Sequence, residues 1–351
     1  MPNDKAPLPA VPPAPPTREG WPLVSILIPT FLRKTFLPEA LDSVFGQTYP
    51  NKEVIVVEDG SHVAEDVARQ FGDEVRYIWQ PNQGVAAARN TAAQVARGAW
   101  IALLDDDDRW LPEKLMRQME LVSSFPSLGF VHTNYFWLRS GTPEERPFPL
   151  AAAVPSGWVT RELFLARFSV LPSSVLIRKD VFHLVGGFNP AYRLVEDYDL
   201  WLRLSHHCQF GYLTTPLALY RVDSPGLSSD RRQTSLQNVE IRHAFLRSNP
   251  DLCRTWPRRL VNNALHRVHL ICARRHLWSD DIPTARAHFF KAWMWKPSHL
   301  RSLLYGLVCM AGPAAVRTFR AFNRILRGPA SAETAAHHDV DGSPRASAPR
   351  N

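Results

Sequence analysis

The sequence has few cysteines, and their positions exclude two classes of cross-linked domain. Its 351 residues include four cysteines (Cys208, Cys253, Cys272 and Cys309), and no two of them form a C-x-x-C pair. We therefore expect neither a disulfide framework nor a zinc site. Such cysteine usage is typical of a reducing compartment, so we expect a cytoplasmic protein.

The sequence also lacks the short motifs of several enzyme classes. It contains no G-x-G-x-x-G and no G-x-x-x-x-G-K-[ST], so nothing in it predicts a dinucleotide-binding Rossmann site or a P-loop. The H-E-x-x-H motif of zinc peptidases and the G-x-S-x-G elbow of serine hydrolases are absent as well. Its 13 histidines therefore do not predict a metal site.

Long hydrophobic runs are missing too. A membrane-spanning helix needs about 18 or more apolar residues in succession, and the nearest candidate, residues 303–316, is interrupted by two glycines and Pro313. Residues 1–20 are rich in proline and have no apolar signal-peptide core, so we expect a disordered arm there. Residues 328–351 are small and polar, and we expect a disordered tail.

The chain is basic, with a formal net charge of +8 and a pI near 9.5. This balance suits nucleic acid, anionic lipid and phosphate-bearing ligands alike. No nucleic-acid-recognition motif accompanies it, so we expect no nucleic-acid partner. The basic residues concentrate in the C-terminal third, beside several tryptophans. Two interpretations stay open for that region: peripheral contact of basic helices with the cytoplasmic face of a membrane, or a helical subdomain with solvated arginines.

Hydrophobic patterning predicts the fold class. From Trp21 to about Leu138, apolar runs such as LVSILIP and EVIVVE alternate with helical stretches. This alternation predicts an α/β fold with a mostly parallel central sheet and helices on both faces. A loop is expected at 139–160. Residues 168–222 are expected to form a strand, a short helix, a Gly-Gly turn, a loop and a helix that begins near Glu196, and from about 232 to 327 the pattern is helical and basic. The predicted division is an arm at 1–20, an α/β domain at 21–230, a basic helical extension at 231–327 and a tail at 328–351.

Polar clusters follow three of the predicted strands: PTFLR at 29–33, EDGS at 58–61 and DDDD at 105–108. Open α/β sheets bind ligands beyond the carboxyl ends of their strands, so we expect these clusters to meet at one edge. The aspartate run poses a physical problem, because two unit charges 4 Å apart repel by about 1 kcal/mol even in water. A divalent cation that arrives with a diphosphate would relieve it, and a solvated acidic turn is the alternative.

Three further segments carry candidate functional groups. Asp59 could accept a hydrogen bond from a base or ribose, although EDGS also has the composition of an ordinary turn. Arg89 follows Gly84 at a helix start and could neutralise a phosphate. In VEDYDLWLRL, Asp197 is a candidate general base, although acidic residues are also favoured at any helix N-terminus.

Taken together, the motifs form an ordered set over about residues 22–228. Five segments follow one another along the chain: VSILIPTF, SVFGQTYPNKEVIVVEDGS, NQGVAAARN, IALLDDDDRWLPEKL and VGGFNPAYRLVEDYDLWLRL. In this order the sequence resembles family 2 glycosyltransferases of the GT-A fold. The resemblance implies an inverting transferase that moves a sugar from a nucleotide-diphosphate donor, expected to be a UDP-sugar, to a saccharide or lipid-linked acceptor. The acceptor would belong to cell-surface polysaccharide or glycolipid synthesis, and the cofactor would be Mg²⁺ or Mn²⁺.

The resemblance also implies roles for individual residues. Asp107 would be the direct metal ligand, and Asp197 would be the general base, supported by Glu196, Trp201 and Arg203. Within the donor site, an aromatic residue would pack on the nucleotide base and a carboxylate would read it. The residues implied in nucleotide-sugar binding are Pro29, Thr30, Phe31, Glu58, Asp59, Gly84, Arg89, Asn90, Asp105 and Asp106.

Three positions depart from the family pattern. Phe31 stands where tyrosine is common, Glu58 stands where aspartate is frequent, and Tyr220–Arg221 is not followed by the usual histidine. These departures leave open a catalytically weak or inactive protein that acts as a partner in glycan assembly. A sugar-nucleotide pyrophosphorylase is a further alternative with a similar α/β layout. Those enzymes share a glycine-rich loop with a basic signature after the first strand, and PTFLRKTF lacks it.

Overall fold

The computed structural model describes residues 20–139, 142–148, 154–222 and 230–327. The predicted tail, and the predicted arm apart from Gly20, lie outside the described residues. The chain divides into two compact units. The first, an α/β unit, comprises residues 1–163 and 168–226, and the second, a helical unit, comprises residues 164–167 and 227–351.

The α/β unit contains the predicted alternation of strands and helices. Its central strands are rich in valine and isoleucine and are buried on both faces, as in sheets covered by helices. The strands are β1 Val24–Thr30, β2 Lys52–Asp59, β3 Val75–Gln80, β4 Trp100–Leu103, β5 Arg109–Trp110, β6 Leu128–Arg139, β7 Thr142–Pro147, β8 Val175–Arg178 and β9 Gln209–Arg221. The helices are α1 Leu37–Phe45, α2 Glu65–Gln70, α3 Val85–Val95, α4 Lys114–Ser124, α5 Thr160–Phe164, α6 Lys179–Leu184 and α7 Glu196–His207.

All nine strands form one sheet in the order β3-β2-β1-β4-β8-β6-β9-β5, with β7 paired to β6. The half that contains β3, β2, β1 and β4 is parallel, as expected. The other half is mixed, because β8 runs antiparallel to both of its neighbours while β6 and β9 run parallel. The loop prediction at 139–160 is wrong in part, since β7 lies there. Its short connection to β6 permits only antiparallel pairing.

The strand register brings the polar clusters to one edge of the sheet. Thr30, the last residue of β1, is paired with Glu58 near the end of β2. Leu103, the last residue of β4, is paired with Leu27 on the other side of β1. The loops that leave these three strands therefore start side by side. Small buried alanines let α3 pack closely against β1 and β2 beneath them.

The second unit is helical, in agreement with the sequence pattern. Its helices are α8 Arg231–Ser248, α9 Pro250–Arg254, α10 Arg258–Trp278, α11 Ile282–Trp295, α12 Leu300–Met310 and α13 Pro313–Arg327. The apolar segment 303–316 is divided between α12 and α13, because Gly312 adopts a positive φ of 92° and Pro313 begins the next helix. None of the helices in the described residues has both the length and the apolarity needed to cross a bilayer.

Candidate active site

The aspartate run occupies the loop after β4, and the loop after β1 contacts it directly. The Thr30 hydroxyl donates to Asp106 Oδ2 at 2.6 Å. The Arg33 guanidinium pairs with Asp106 Oδ1 at 3.4 Å and more closely with Asp107 Oδ2. Two of the three predicted clusters therefore meet, and Arg33 supplies a positive charge to the run from within the chain.

A second arginine joins the run to the start of α7. Arg89 donates to Asp105 Oδ1 at 2.5 Å and to Glu196 Oε1 at 2.8 Å. Only 2% of Arg89 is exposed. Burial opposes its charge, but the carboxylates of Asp105 and Glu196 outweigh that effect and raise the pKa of the guanidinium above its usual range. Arg89 thus stays charged and holds two acidic segments together.

Asp108 faces inward and is fully bonded to the protein. Its Oδ2 accepts from the Ser173 hydroxyl at 2.5 Å, and its Oδ1 accepts from the Arg221 backbone N–H at 2.9 Å. The Arg221 side chain donates in turn to the Asp107 carbonyl at 2.9 Å and to Glu39 at 2.8 Å. Burial raises the pKa of Asp108 well above its ordinary value. This aspartate fixes the loop rather than reaching a ligand.

Exposure alternates along the run. The side chains of Asp105 and Asp107 remain 27% and 14% exposed, whereas Asp106 and Asp108 are buried. Burial raises the pKa of Asp106 to about 7, against the opposing hydrogen bond from Thr30. The D-x-D pair that the sequence singled out is therefore the pair that a ligand can reach.

The carboxylate of Glu58 is committed to its own loop. It accepts hydrogen bonds from the Ser61 hydroxyl, from the Val63 and Ala64 backbone N–H groups, and from the Tyr77 hydroxyl. These donors lower its pKa, although burial acts in the opposite direction. The structure thus gives Glu58 the role of holding the turn after β2, where the resemblance had suggested contact with the donor.

Asp59 is bonded to the loop that precedes α3. Its Oδ1 accepts from the Gln80 side chain at 2.7 Å and from the Gln83 N–H at 2.9 Å, and its Oδ2 accepts from the Gly84 N–H at 2.7 Å. Gly84 has a φ of 91° and a ψ of 162°, a combination that only glycine adopts readily. The Asp59 and Gly84 motifs, separate in sequence, are therefore one structural unit.

Aromatic side chains are exposed on either side of this unit. Phe31, directly after β1, is 44% exposed, and Trp79 on β3 is 41% exposed and stacks on His62 with ring centroids 4.6 Å apart. Leu32, beside Phe31, has a positive φ of 56°, which is uncommon for a non-glycine residue. Its N–H donates to Ser61, so the loops after β1 and β2 are joined. The sequence analysis did not identify Trp79 or His62.

Asp197 lies in the first turn of α7, half-buried beside Glu196. Its Oδ1 accepts from the Tyr198 N–H at 2.6 Å. Burial, followed by the charge of Glu196, raises the pKa of Asp197 to about 7. Asp105 is close enough to add to this effect. A carboxylate that exchanges its proton near neutral pH has the property required of a general base.

Asn90 holds the turn that leads into this region. Its side-chain amide donates to the Phe188 carbonyl at 2.8 Å and accepts from the Phe188 N–H at 2.9 Å. Gly187 is required in that turn, because it has a φ of 68° and an added Cβ would lie 2.7 Å from the Asn90 oxygen. Asn90 is therefore a positioning residue in this geometry, where the resemblance had suggested a place in the donor pocket.

Two further side chains fix α7 itself. Trp201 is buried and packs edge-on against Phe130 with ring centroids 4.9 Å apart. Arg203 pairs with Asp199 one turn earlier at 2.6 Å and donates to the Val185 carbonyl at 2.7 Å. Both residues thus hold α7 in place, and the resemblance had implied that they support Asp197.

Residues that sequence reasoning missed complete the site. Arg33 lies within the quoted PTFLR motif but was not assigned a role, and Ser173 and Glu39 carry no motif at all. No sequence motif marks Ser173, because its partner Asp108 lies 65 positions earlier in the chain. Only the position of Arg33 next to a strand end could have suggested its contact with the aspartates.

The donor atoms suit a cation that shares its ligands with a substrate. The described residues contain no group of three or more histidine, cysteine or acidic side chains arranged around one metal position. Partly exposed carboxylates such as Asp105 and Asp107 are hard oxygen ligands of the kind that Mg²⁺ and Mn²⁺ take. These ions are commonly held by one or two carboxylates plus phosphate oxygens. The site therefore fits a metal that binds together with a diphosphate.

Comparison with known sequences agrees with the motif order. Residues 25–168 match the model of the family described as Glycosyl transferase family 2. An uncharacterized glycosyltransferase of Haemophilus influenzae is 31% identical over 207 residues, which cover 58% of this chain and 66% of that protein. One of Rickettsia felis is 31% identical over 188 residues, which cover 52% of this chain and 31% of that protein.

A third relative carries a more specific name. TuaG of Bacillus subtilis, whose name describes it as a teichuronic acid biosynthesis glycosyltransferase, is 32% identical over 134 residues. The match covers 36% of this chain and 53% of TuaG. The chain therefore spans two thirds or less of the length of each of these relatives.

Solved structures share the fold at low identity. TarS of S. aureus in complex with UDP-GlcNAc superposes with a TM-score of 0.55 at 14% identity, over 85% of this chain and 91% of that chain. The mannosyltransferase PcManGT of Pyrobaculum calidifontis, in complex with GDP-Man and Mn²⁺, gives 0.54 at 19% identity, over 91% and 86%. This likeness confirms the expected GT-A type of α/β architecture with a helical C-terminal region.

The raised pKa of Asp197 predicts a pH-dependent cost to stability. Its pKa rises from an ordinary value of 3.8 to about 7 on folding, so the folded chain binds this proton more tightly. Stability is therefore lost as the pH rises from about 4 to about 7 and stays lost above that. We expect Asp197→Asn to raise the free energy of unfolding by about 1–4 kcal/mol near pH 8 and to leave it unchanged below about pH 4.

Urea unfolding at the two pH values measures this difference. Asp251→Asn, which removes an exposed carboxylate from α9, controls for the change in net charge. An Asp197→Asn variant that is no more stable than the parent near pH 8 would show that burial does not perturb this carboxyl.

Proposed function

We propose that the chain, whose residues 25–168 match the family 2 glycosyltransferase model and whose fold is of the GT-A type, is an inverting transferase for a nucleoside-diphosphate sugar. The observation that carries the proposal is the convergence of the loops after β1, β2 and β4 with the start of α7. There Asp105 of the D-x-D pair, whose side chain is 27% exposed, lies within electrostatic range of Asp197, a carboxyl whose pKa is raised to about 7. Donor and acceptor chemistry would thus meet at one edge of the sheet.

The donor base would bind between the exposed aromatic side chain of Phe31 and the loop held by Asp59. A planar ring such as Phe31 can stack on a base without a hydrogen bond. We propose a UDP-sugar as donor, because the resemblance implies that Asp59 reads the base. In the chain alone Asp59 is 4% exposed and accepts from Gln80, Gln83 and Gly84. TarS is seen with UDP-GlcNAc and PcManGT with GDP-Man, so the fold accommodates both classes of base.

The diphosphate would bind beside Asp105 and Asp107, and Asp107 would hold Mg²⁺ or Mn²⁺ together with phosphate oxygens. When bound, such an ion neutralises the negative charge that develops on the leaving nucleoside diphosphate. In the chain without ligands, the Arg33 guanidinium forms an ion pair with the Asp107 carboxylate. In the donor complex, the Arg33 guanidinium would instead bind the phosphate oxygens, because phosphate is a strong bidentate acceptor for arginine.

Asp197 would act as the general base. Its carboxylate would accept the proton of an acceptor hydroxyl while that oxygen forms a bond to the anomeric carbon. The bond between that carbon and the diphosphate oxygen would break on the opposite face, so a single displacement inverts the configuration. Glu196 would not act as the base, because Arg89 binds its carboxylate at 2.8 Å. Burial raises the pKa of Glu196, and the charge of Arg89 opposes that effect.

The acceptor is proposed to be a saccharide or a lipid-linked saccharide of the cell envelope. The name of TuaG, a relative over part of the chain, supports this class of product. The candidate base lies on α7, and the acceptor hydroxyl must reach it there.

Release of nucleoside diphosphate from a panel of nucleotide sugars tests the function as a whole. Incubated with Mn²⁺, the full chain is expected to hydrolyse one donor well above the background rate, because water can replace the acceptor hydroxyl. Removal of the metal should abolish the release. Absence of release from every donor, with or without envelope saccharides, would support the alternative of a catalytically inactive partner protein.

Asp197→Asn tests the general base. We expect transfer to fall by about 10²–10⁴-fold, because an amide cannot accept the proton, while nucleotide binding changes little. In the parent chain kcat/KM should rise about tenfold per pH unit up to about pH 7 and then level off, since only the ionised carboxyl is active. Comparable turnover in the variant, or a flat profile through pH 7, would remove Asp197 from this role.

Asp107→Ala tests the metal ligand through binding alone. Calorimetry should show that Mn²⁺ tightens UDP binding to the parent chain by at least about tenfold, or about 1.4 kcal/mol, and that the variant loses this gain. Without metal the variant should bind UDP no more weakly than the parent, because it removes a negative charge from beside the diphosphate. Asp251→Ala is the matched control, and a variant that keeps the Mn²⁺ effect would contradict the assignment.

A further inference from the structure

Helix α12 exposes an apolar stripe that the proposed chemistry does not use. Leu300, Leu304 and Leu307 are 68%, 49% and 49% exposed, and their spacing of four and three residues places them on one side of the helix. Met310, at the end of α12, is also exposed. Single exposed leucines are common on soluble proteins, but a continuous stripe of them marks an interaction surface.

The opposite side of α12 anchors the helix firmly. Ser302, Gly306 and Cys309 are buried there, and a Cβ on Gly306 would lie 3.2 Å from the Phe290 ring. Close packing through these small residues determines which side of the helix is turned outward. The leucines are therefore presented by a packed helix and not by a loosely attached one.

The stripe continues into an apolar groove beside α13. The groove has a volume of about 620 Å³ and contains one polar side chain, that of Thr318. Its lining residues are Leu307, Val308, Ala311, Ala315, Thr318 and Phe319. We call the stripe and the groove together the α12 surface.

The charge around the α12 surface is mostly positive, and the exposed Asp280 is paired with Arg320 of α13 at 2.8 Å. Residues 282–332 contain no aspartate or glutamate. Arg301 on α12 and Arg317 on α13 are exposed beside the apolar side chains. The basic residues of this segment are Arg286, Lys291, Lys296, Arg301, Arg317, Arg320, Arg324 and Arg327.

We propose that the α12 surface docks on an anionic lipid bilayer. Apolar side chains flanked by arginines, on helices α11 to α13 that contain no acidic residue of their own, match the acyl boundary and the negative headgroups of such a membrane. A second copy of the chain is a poorer partner, because pairing two such surfaces would bring their arginines together. The surface would bind membranes whether or not the chain transfers sugar.

Sedimentation of the full chain with phospholipid vesicles tests the proposal. We expect it to pellet with vesicles that contain phosphatidylglycerol, to remain in solution with pure phosphatidylcholine, and to dissociate partly in high salt. The double variant Leu304→Glu, Leu307→Glu should lose binding by at least about tenfold, since it removes apolar burial and adds negative charge. Leu184→Glu, at an equally exposed leucine of the α/β unit, is the matched control and should bind like the parent.

Three outcomes would overturn the proposal. The first is undiminished vesicle binding by the double variant, and the second is binding of the parent to neutral vesicles as strong as to anionic ones. The third is a parent chain that is dimeric in solution and a double variant that is monomeric, which would assign the surface to a second copy. The melting temperature of the double variant checks that it folds. Donor hydrolysis, measured without vesicles, separates this proposal from the enzymatic one: it should be equal in all three proteins, and its absence from all of them would count against the transferase function while leaving vesicle binding interpretable.

Discussion

Compensation of the aspartate run by arginines is the interaction on which the α/β unit's candidate site depends. Adjacent carboxylates at a protein surface repel by about 4 kcal/mol at 4 Å, and here the run lies at a buried strand end. Arg33, Arg89 and Arg221 come from three different segments and contact the run or its backbone. Because each arginine also belongs to another element, balancing the charge and assembling the loops are the same event.

Such buried ion pairs specify geometry more than they add stability, because desolvation offsets much of their attraction. Arg89 illustrates this: it is almost fully buried, and removing either of its carboxylate partners would leave uncompensated charge. The arrangement also leaves Asp106 and Asp197 with a pKa near 7, so their protonation states are balanced at neutral pH. In the proposed function, carboxylates of the run would bind a cation and arginines would bind the diphosphate. The charges whose burial costs free energy would then serve to bind the donor.

The fold could be predicted where a segment's own pattern decides its structure. The parallel strands β1, β2, β3 and β4 are continuous apolar runs, and α7 begins at Glu196 as the acidic first turn indicated. Prediction failed where pairing decides. The strand β7 is polar and reads as a loop, and it is a strand because β6 offers it an edge. The 13-residue strand β9 was missed for the same reason, since its hydrogen bonds come from β5 and β6.

The candidate site divides along the same line. By itself the sequence determined the residue types at the strand ends, the D-x-D pair and the acidic start of α7, because those depend on local pattern and order. Only the tertiary structure decided which of them face a ligand. In the folded chain Glu58, Asn90 and Asp108 form hydrogen bonds within the protein, and Arg33 and Ser173 contact the aspartate run. The partners of a buried polar group are set by contacts between segments far apart in the chain, and no local pattern encodes those distances.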